Sequence, residues 1–242
     1  KRGGPENFRK AYEMYENGLR IAEILARELG TEEYFKELGF SYMRMGGAYA
    51  KSGRAEDLQK AYVMYEKSLE IRQILEENQK TAESQRDLLM SYSLMGDICM
   101  KIDGEANLQK ARQMYEKSVQ LAEMLAEKQK TAESRRDLSV SLTKMAEICE
   151  KQGEQENLKM AGDLYNRSLT IQSELAEELK SIQSYTDLII GLYHVACHPM
   201  TEPDVSRQYL EQILSISERL YRQTQSPRYK QFIELAKTML AE

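Results

Sequence analysis

Tryptophan is absent from the 242 residues, and the chain has only three cysteines, four prolines and four phenylalanines. Three cysteines are too few for a disulfide framework, so we expect reduced thiols. No apolar run approaches the roughly 18 residues that a membrane-spanning helix needs. The residues at the start, Lys1-Arg2-Gly3-Gly4-Pro5, lack the apolar segment of a signal peptide. Together these absences predict a cytoplasmic protein with no membrane partner.

Composition and charge favour helices and disfavour nucleic acid as a partner. Apolar residues make up 41% of the chain and charged residues 30%, with abundant Ala, Leu, Met, Glu, Lys and Gln, which are the residues of soluble helices. No segment supports a strand. The formal net charge is −5, the pI is near 5.4, and the basic residues are interspersed with acidic ones. Such a surface offers no basic patch for a polyphosphate.

The chain is an array of one repeated unit. Half of the positions from 57 to 106 recur unchanged fifty residues later, in positions 107 to 156. Repetition at this length is typical of a solenoid, in which each unit is too small to bury its own apolar face and stacks on its neighbours. Cys99 and Cys149 share one repeat position, so we expect both to be small buried residues.

Each repeat contains two helical patterns joined by short polar links. One pattern runs from about Leu58 to Asn78 and the next from about Ala82 to Ile102. Short links require consecutive helices to pack antiparallel. About ten helices are predicted, at residues 7–29, 32–52, 57–79, 82–102, 107–129, 132–152, 157–180, 183–197, 204–224 and 227–241.

Polar residues at the links are candidate helix caps. At the entrance to the fourth helix, Ser84 and Asp87 match a capping box with the shorter acid, and Thr81 is the competing cap. Three other helices are each preceded by a link that ends in an expected N-cap residue: Asp57, Asn107 and Asn157.

Small and aromatic residues recur at fixed places in both helices of the repeat. The first helices carry them at Tyr42, Met45, Gly46 and Tyr49, at Tyr92, Met95, Gly96 and Cys99, and at Leu142, Met145, Ala146 and Cys149. The second helices carry them at Ala11, Tyr15 and Gly18, at Ala61, Tyr65 and Ser68, at Ala111, Tyr115 and Ser118, and at Ala161, Tyr165 and Ser168. The unit resembles a tetratricopeptide repeat, in its extended bacterial variants.

This resemblance implies an all-α fold, an alpha-alpha superhelix of antiparallel helix pairs. The unit is fifty residues long instead of the usual 34. The match covers residues 7–197 well and weakens over 198–242, where Pro199 stops a helix early and an atypical terminal unit follows. We expect one continuous solenoid over residues 1–242. Because the first residues align with the helix end at 51–53, we also expect a fragment of a longer chain.

The tyrosines that repeat every fifty residues are expected to be core. They are Tyr15, Tyr65, Tyr115 and Tyr165. A functional site has no reason to recur in phase with packing, whereas a core position has. The same reasoning assigns Met14, Met64 and Met114 to the core.

Enzyme motifs are missing from the sequence. It contains no glycine-rich phosphate loop, no Gly-x-Ser-x-Gly elbow and no His-Glu-x-x-His helix. Acidic pairs such as Glu32-Glu33, Glu76-Glu77 and Glu177-Glu178 are typical of solvated helix faces. We therefore expect no enzymatic activity, no catalytic residue and no cofactor.

The two histidines, His194 and His198, stand with Cys197 within one helical turn. Three such ligands form a possible zinc half-site. A closed structural zinc site needs four ligands, and none of the remaining residues stands at a recognisable spacing. Because Pro199 also disturbs the turn, we expect no bound metal, and the alternative is a terminal helix that tolerates polar residues.

The family resemblance also implies a partner-binding groove on the first helices. Lys36, Arg86 and Arg136 would form its basic edge, and Asp97 and Glu147 its acidic edge. Its floor would contain Phe40, Met90 and Val140, with Met43, Ser93 and Thr143 beside them and Gly47 at the acidic end of the first row. Surface pairing of Arg86 with Glu83 and of Arg136 with Glu133 is the alternative for the arginines.

A protein or peptide scaffold that binds a segment in this groove is the predicted function. The carboxylate clamp of chaperone-binding relatives is not matched, because Met43, Gly47 and Val140 occupy three of its places. A peptide-sensing regulatory domain of a bacterial regulator and an assembly module that associates through the ends of the stack are the alternatives. The oligomeric state and the identity of the partner stay open.

Overall fold

The computed structural model describes the backbone of residues 5–241 and the side chains of residue 10 and residues 12–241. Over residues 5–241 the chain forms ten α-helices and no strand. Their bounds are α1 Pro5–Leu29, α2 Glu32–Ala50, α3 Ala55–Gln79, α4 Ala82–Lys101, α5 Glu105–Gln129, α6 Ala132–Gln152, α7 Gln155–Leu179, α8 Ile182–Cys197, α9 Pro203–Thr224 and α10 Pro227–Ala241. The all-α prediction is confirmed, and each helix lies where the repeat pattern predicts it.

The chain divides into two compact units, residues 1–125 and residues 126–242, and the division falls inside α5. In the first unit, α1 and α2 are antiparallel, because Tyr12 near the start of α1 lies against Tyr49 at the end of α2. In the second unit, α6 and α7 are antiparallel, because Tyr165 contacts Glu150 late in α6. Short links produce this arrangement in both units.

The expected caps Asp57, Asn107 and Asn157 are wrong, because their helices begin two residues earlier and place all three inside the first turn. Asp57 accepts a hydrogen bond from Ser52 Oγ at 2.6 Å and one from Arg54 Nε at 2.7 Å. Its carboxylate thus lies at the positive end of the α3 dipole without serving as the cap. These two hydrogen bonds lower the pKa of Asp57.

The turns between second and first helices share one capping arrangement. Thr81 is the N-cap of α4, and its hydroxyl and the Ser84 hydroxyl each accept a backbone N–H of the other residue. The expected box from Ser84 to Asp87 is therefore wrong, and the competing cap, Thr81, is the correct one. Thr131 with Ser134 and Ser181 with Ser184 repeat the box before α6 and α8. Each box fixes a two-residue turn, because it satisfies the exposed N–H groups of the next helix.

The repeated tyrosines pack against small residues of the preceding helix. Around Gly96, an added Cβ would lie 2.4 Å from Tyr115 Cε1, and around Gly46 an added Cβ would lie 2.8 Å from Tyr65 Cε1. Only a residue without a side chain permits these approaches without a shift. The expected core residues are buried as predicted: Ala61, Tyr65, Ala111, Tyr115, Ala161, Tyr165, Cys99 and Cys149.

Two residues of α1 are wrongly predicted as core. Tyr15 is 39% exposed and Met14 is 73% exposed. In the later repeats the equivalent face is covered by the helix before it, whereas α1 is the first helix that the structure describes. Met64 is half-buried and Met114 is buried. The side chain of Ala11, another expected core position, lies outside the described residues.

The terminal part of the second unit follows the prediction of an early helix end. Helix α8 stops at Cys197, and Pro199 lies in the turn that follows. The chain then re-enters a helix at Pro203, a position where the missing N–H of proline costs nothing. No helix within residues 5–241 is long and apolar enough to cross a membrane.

The tyrosine packing leads to a first prediction. Tyr115→Ala should lower the free energy of unfolding by about 3 kcal/mol or more, because it removes a fully buried aromatic side chain and leaves a cavity. Tyr15→Ala, the same substitution at the exposed equivalent position, should cost less than about 1 kcal/mol. Urea unfolding followed by circular dichroism measures both. Equal costs would contradict the assigned core.

Candidate functional site

The predicted groove residues lie on the first helices of the repeats, with equivalent positions on α2, α4 and α6. We call the surfaces that carry them the first-helix faces: in the first unit, the face of α2 and α4, and in the second unit, the face of α6 and α8. Met90 is 41% exposed and Val140 is 42% exposed, whereas Phe40 is half-buried. Two of the three floor residues therefore present large apolar side chains to solvent.

The basic edge is engaged in ion pairs between successive first helices. In the first unit, Lys36 of α2 pairs with Glu83 of α4. In the second unit, Arg136 of α6 forms a two-pronged contact with Asp187 of α8, at 2.6 Å from Nε and 3.2 Å from Nη2. Such a forked contact is the strong form of a guanidinium–carboxylate pair. Arg86 is half-buried on α4.

A buried arginine that the sequence analysis missed lies beneath this edge in the first unit. Arg72 of α3 is 2% exposed, and its Nη1 lies 2.6 Å from Asp87 Oδ2. Its guanidinium also lies over the Phe40 ring at 4.3 Å. The contact with Asp87 is an ion pair and not a directed hydrogen bond, since none of the Arg72 nitrogens meets hydrogen-bond geometry within the described residues. The Arg72 guanidinium thus covers one face of the Phe40 ring.

The equivalent place in the second unit is filled differently. Gln172 stands where the first unit has Arg72, so no guanidinium reaches Asp187 from α7. Asp187 forms its ion pair with Arg136 of α6 instead. A cavity of about 110 Å³ remains, lined mainly by apolar surface that includes Leu175 and Leu179. One substitution in the repeat thus changes both the ion pairing and the shape of the edge.

The arginine could have been found from the repeat alignment. Position 72 lies on the apolar stripe of a second helix, and the equivalent residues are Ala122 and Gln172. A charged residue at a position that packing buries needs a partner of opposite charge. Asp87, two turns into the next helix, is the acid that supplies it.

The polar residues in the middle of the faces are bonded to the second helices. Ser93 Oγ lies 2.9 Å from Ser118 Oγ in the first unit. Thr143 Oγ1 lies 2.9 Å from Ser168 Oγ in the second unit, at the equivalent position. Both residues are half-buried, as is Met43. The hydroxyls therefore stabilise the helix pairs.

The acidic edge is also engaged within the chain. The Tyr115 hydroxyl donates a hydrogen bond to Asp97 Oδ1 at 2.7 Å. Glu147 Oε1 lies 3.8 Å from His194 Nε2, and burial lowers the pKa of His194. Both carboxylates thus have an intramolecular neighbour.

A cavity of about 250 Å³ opens at the acidic end of the first-unit face. We call it the Gly47 cavity. It lies among α2, α3 and α4, and its lining residues are Gly47, Ala50, Lys51, Tyr65, Leu94, Asp97, Ile98 and Lys101. Two of these residues, Gly47 and Asp97, belong to the predicted groove rows. Most of the lining surface is apolar, with the charged groups at a few points.

The two histidines of the possible zinc half-site each have another neighbour in the second unit. The His194 ring stacks on Tyr165 with ring centroids 5.0 Å apart. His198 is buried, and its Nδ1 lies 3.0 Å from Glu150 Oε1. Cys197 is exposed. Within the described part of the chain, no three His, Cys, Asp or Glu side chains come together as a metal site.

Several exposed apolar residues lie on α1. They form a stripe along one side of the helix that includes Met14, Tyr15, Ile21 and Leu29. Ile21 is 54% exposed, and around Gly18, in the same stripe, an added Cβ would meet no atom within 4 Å. The buried side of α1 packs on α2 through Ala22 and Ala26. One helix therefore has a packed face and an open apolar face.

Comparison with known proteins supports the fold. No family model matches the chain, and no curated protein matches it in sequence. It is similar to the structure of BtubC (BKLC) from P. vanneervenii, with 13% identity and a TM-score of 0.51 over 97% of this chain and 91% of that chain. It is also similar to the nuclear import adaptor Nro1 from S. pombe, with 15% identity and a TM-score of 0.54 over 93% and 74%. The chain is a helical repeat protein.

The two forms of the basic edge lead to a second prediction. Asp87→Ala should lower the free energy of unfolding by about 3–5 kcal/mol, because it leaves the buried Arg72 guanidinium without a counter-charge. Asp187→Ala should cost less, about 1–2 kcal/mol, because it removes a forked contact but leaves Arg136 exposed, where water can solvate it. Urea unfolding of the two matched variants gives the difference. Equal costs would show that Arg72 does not depend on Asp87.

Proposed function

We propose that the protein is a non-enzymatic scaffold of the tetratricopeptide type that binds a protein or peptide segment on its first-helix faces. The observation that carries this proposal is the exposure of large apolar side chains, Met90 and Val140, at equivalent positions of α4 and α6. Each is surrounded by polar groups that already have partners in the chain. An apolar centre with a polar rim is the arrangement found in protein–protein contact surfaces.

The engaged polar groups define what the partner must offer. Lys36, Arg136 and Asp97 each contact a group of opposite charge or a hydrogen-bond donor. A partner that used their charges would have to replace these contacts, which yields little net free energy. The partner is therefore expected to bind mainly through apolar side chains placed on Met90 or Val140, with its polar groups adding orientation.

The comparison structures are consistent with this class of function. Nro1 is a nuclear import adaptor, and an adaptor acts by binding other proteins. The two histidines, the side chains with an unperturbed pKa near neutrality, are packed within the second unit. Each contacts a glutamate and the ring of Tyr165. The alternative, a peptide-sensing regulatory domain of a bacterial regulator, would use the same surface and would close on a short signalling peptide.

A second candidate function is assembly through an end of the array. The open apolar face of α1, with Met14 and Ile21 at its centre, favours it. In the first unit, the equivalent face of α3 is covered by α2, with Tyr65 packed on Gly46. An amphipathic helix with a small residue opposite Tyr15 would cover α1 in the same way.

A third prediction tests the first-helix faces. Met90→Asp with Val140→Asp should abolish capture of the partner proteins that the parent retains, because a charge at the contact cannot be desolvated. The control is Ile74→Asp with Met124→Asp, which adds the same charge at exposed apolar positions of the second helices α3 and α5. Quantitative mass spectrometry of cross-linked complexes measures capture. If Met90→Asp with Val140→Asp still captures the same partner proteins as the parent, the proposed surface is refuted.

A fourth prediction tests assembly through α1. If this face mediates self-association, the parent should show a mass that rises with concentration in light scattering. Met14→Asp with Ile21→Asp should then be monomeric, because the charges prevent burial of the stripe. Ile74→Asp alone is the matched control and should behave as the parent does. A parent that stays monomeric at all concentrations would rule out self-association through this face.

A further inference from the structure

The three buried tyrosines at the equivalent repeat position differ in what their hydroxyls contact. The Tyr115 hydroxyl donates to Asp97 at 2.7 Å, and the Tyr165 hydroxyl donates to Glu150 at 3.1 Å. Tyr65 has no such acceptor among the side chains of residue 10 and residues 12–241, although its side chain is also buried, at 7% exposed. Its hydroxyl borders the Gly47 cavity. One of three equivalent donors is therefore directed into a cavity.

The repeat explains why this donor has no acceptor. The residue on α4 that accepts from Tyr115 is Asp97, and the residue fifty positions earlier is Gly47. An added Cβ at Gly47 would lie 3.6 Å from the Tyr65 hydroxyl oxygen. The position that holds a carboxylate for Tyr115 thus holds no side chain for Tyr65. The missing carboxylate leaves both the cavity and the open donor.

The other polar groups of the cavity add positive charge. Lys51 and Lys101 are exposed at its edge, and neither forms an ion pair within the described part of the chain. The single carboxylate, Asp97, already accepts from Tyr115. Two ammonium groups against one carboxylate leave a net positive lining, which favours an anionic group.

Tyr65 keeps its proton under ordinary conditions. Burial, followed by the charge of Asp97, raises the pKa of Tyr65 to about 12. A phenol with a raised pKa is protonated at neutral pH and can donate to an acceptor. The remaining lining, which includes Leu94, Ile98 and Ala50, is apolar. The cavity therefore offers one fixed donor, two mobile cations and an apolar wall.

We propose that the Gly47 cavity binds a carboxylate on a short apolar stem, supplied by a partner segment, in the place that Asp97 takes beside Tyr115. The carboxylate accepts a hydrogen bond from the Tyr65 hydroxyl and lies between the ammonium groups of Lys51 and Lys101. The stem contacts Leu94 and Ile98. This inference rests on the proposed scaffold function and gives one recognition element of the first-unit face.

Small carboxylates test the site directly, because the chemistry does not depend on the rest of a partner. N-acetylglutamate amide supplies a side-chain carboxylate, and N-acetylleucine supplies a terminal one. Their neutral counterparts are N-acetylglutamine amide and N-acetylleucine amide. Titrations followed by the NMR signals of labelled tyrosines should show binding of at least one acid about tenfold tighter than its neutral counterpart, with Tyr65 as the responding ring. The acid that binds identifies the source of the carboxylate.

Variants of the cavity complete the test. Gly47→Asp supplies an internal carboxylate to Tyr65 and should abolish binding, whereas Ile74→Asp, with the same charge change at an exposed position of α3, should not. Tyr65→Phe removes the donor without removing any intramolecular hydrogen bond and should weaken binding about tenfold. It also keeps the test valid if Gly47→Asp does not fold. Lys101→Gln should weaken binding in the same direction.

Two results would overturn the proposal. One is equal affinity for the acids and their neutral counterparts. The other is unchanged affinity in both Gly47→Asp and Tyr65→Phe. Partner capture that still depends on Met90 and Val140 after either result would leave the scaffold function in place and remove only the carboxylate site. If the carboxylates bind as proposed but partner capture does not depend on Met90 and Val140, the carboxylate site stays and the proposed scaffold surface is removed.

Discussion

The packing of one tyrosine ring onto the backbone of the preceding helix is the contact on which the rest of the structure depends. Tyr115 lies so close to Gly96 that a side chain at that position would overlap the ring. Tyr65 and Gly46 form the same contact one repeat earlier. Because the ring sets how closely first and second helices approach, it also sets where the faces of the first helices lie. The burial of a large aromatic side chain at positions 65, 115 and 165 stabilises this arrangement.

Variation at two repeat positions converts this regular frame into distinct surfaces. At position 72 an arginine fills the space beneath the first-unit face and forms an ion pair with Asp87. At the equivalent position of the second unit, Gln172 leaves a cavity, and Asp187 forms its ion pair with Arg136. At position 47 a glycine replaces the carboxylate that the next repeat supplies to its tyrosine. Both positions lie on equivalent helices of the repeat, so the differences between the surfaces at these places come from the side chains.

Charged residues on the first-helix faces mainly connect helices to one another. Residues of the predicted basic and acidic edges contact other parts of their own unit, as Arg136 does with Asp187 and Asp97 with Tyr115. Ion pairs between successive first helices add orientation to a stack that apolar contacts stabilise. The apolar residues Met90 and Val140 are what remains available to a partner.

The sequence by itself determined the helical class, the positions of the ten helices and the buried tyrosines at positions 65, 115 and 165, because these depend on periodicity and on residues that recur every fifty positions. It did not determine the exposure of Tyr15, since burial depends on which helix lies across it. The ion-pair partners of Lys36, Arg72 and Arg136 were not determined by the sequence either. Long side chains can reach several acids, and only the tertiary structure decides which acid lies close. The Gly47 cavity is likewise a tertiary result. It arises from three helices meeting where one side chain is missing.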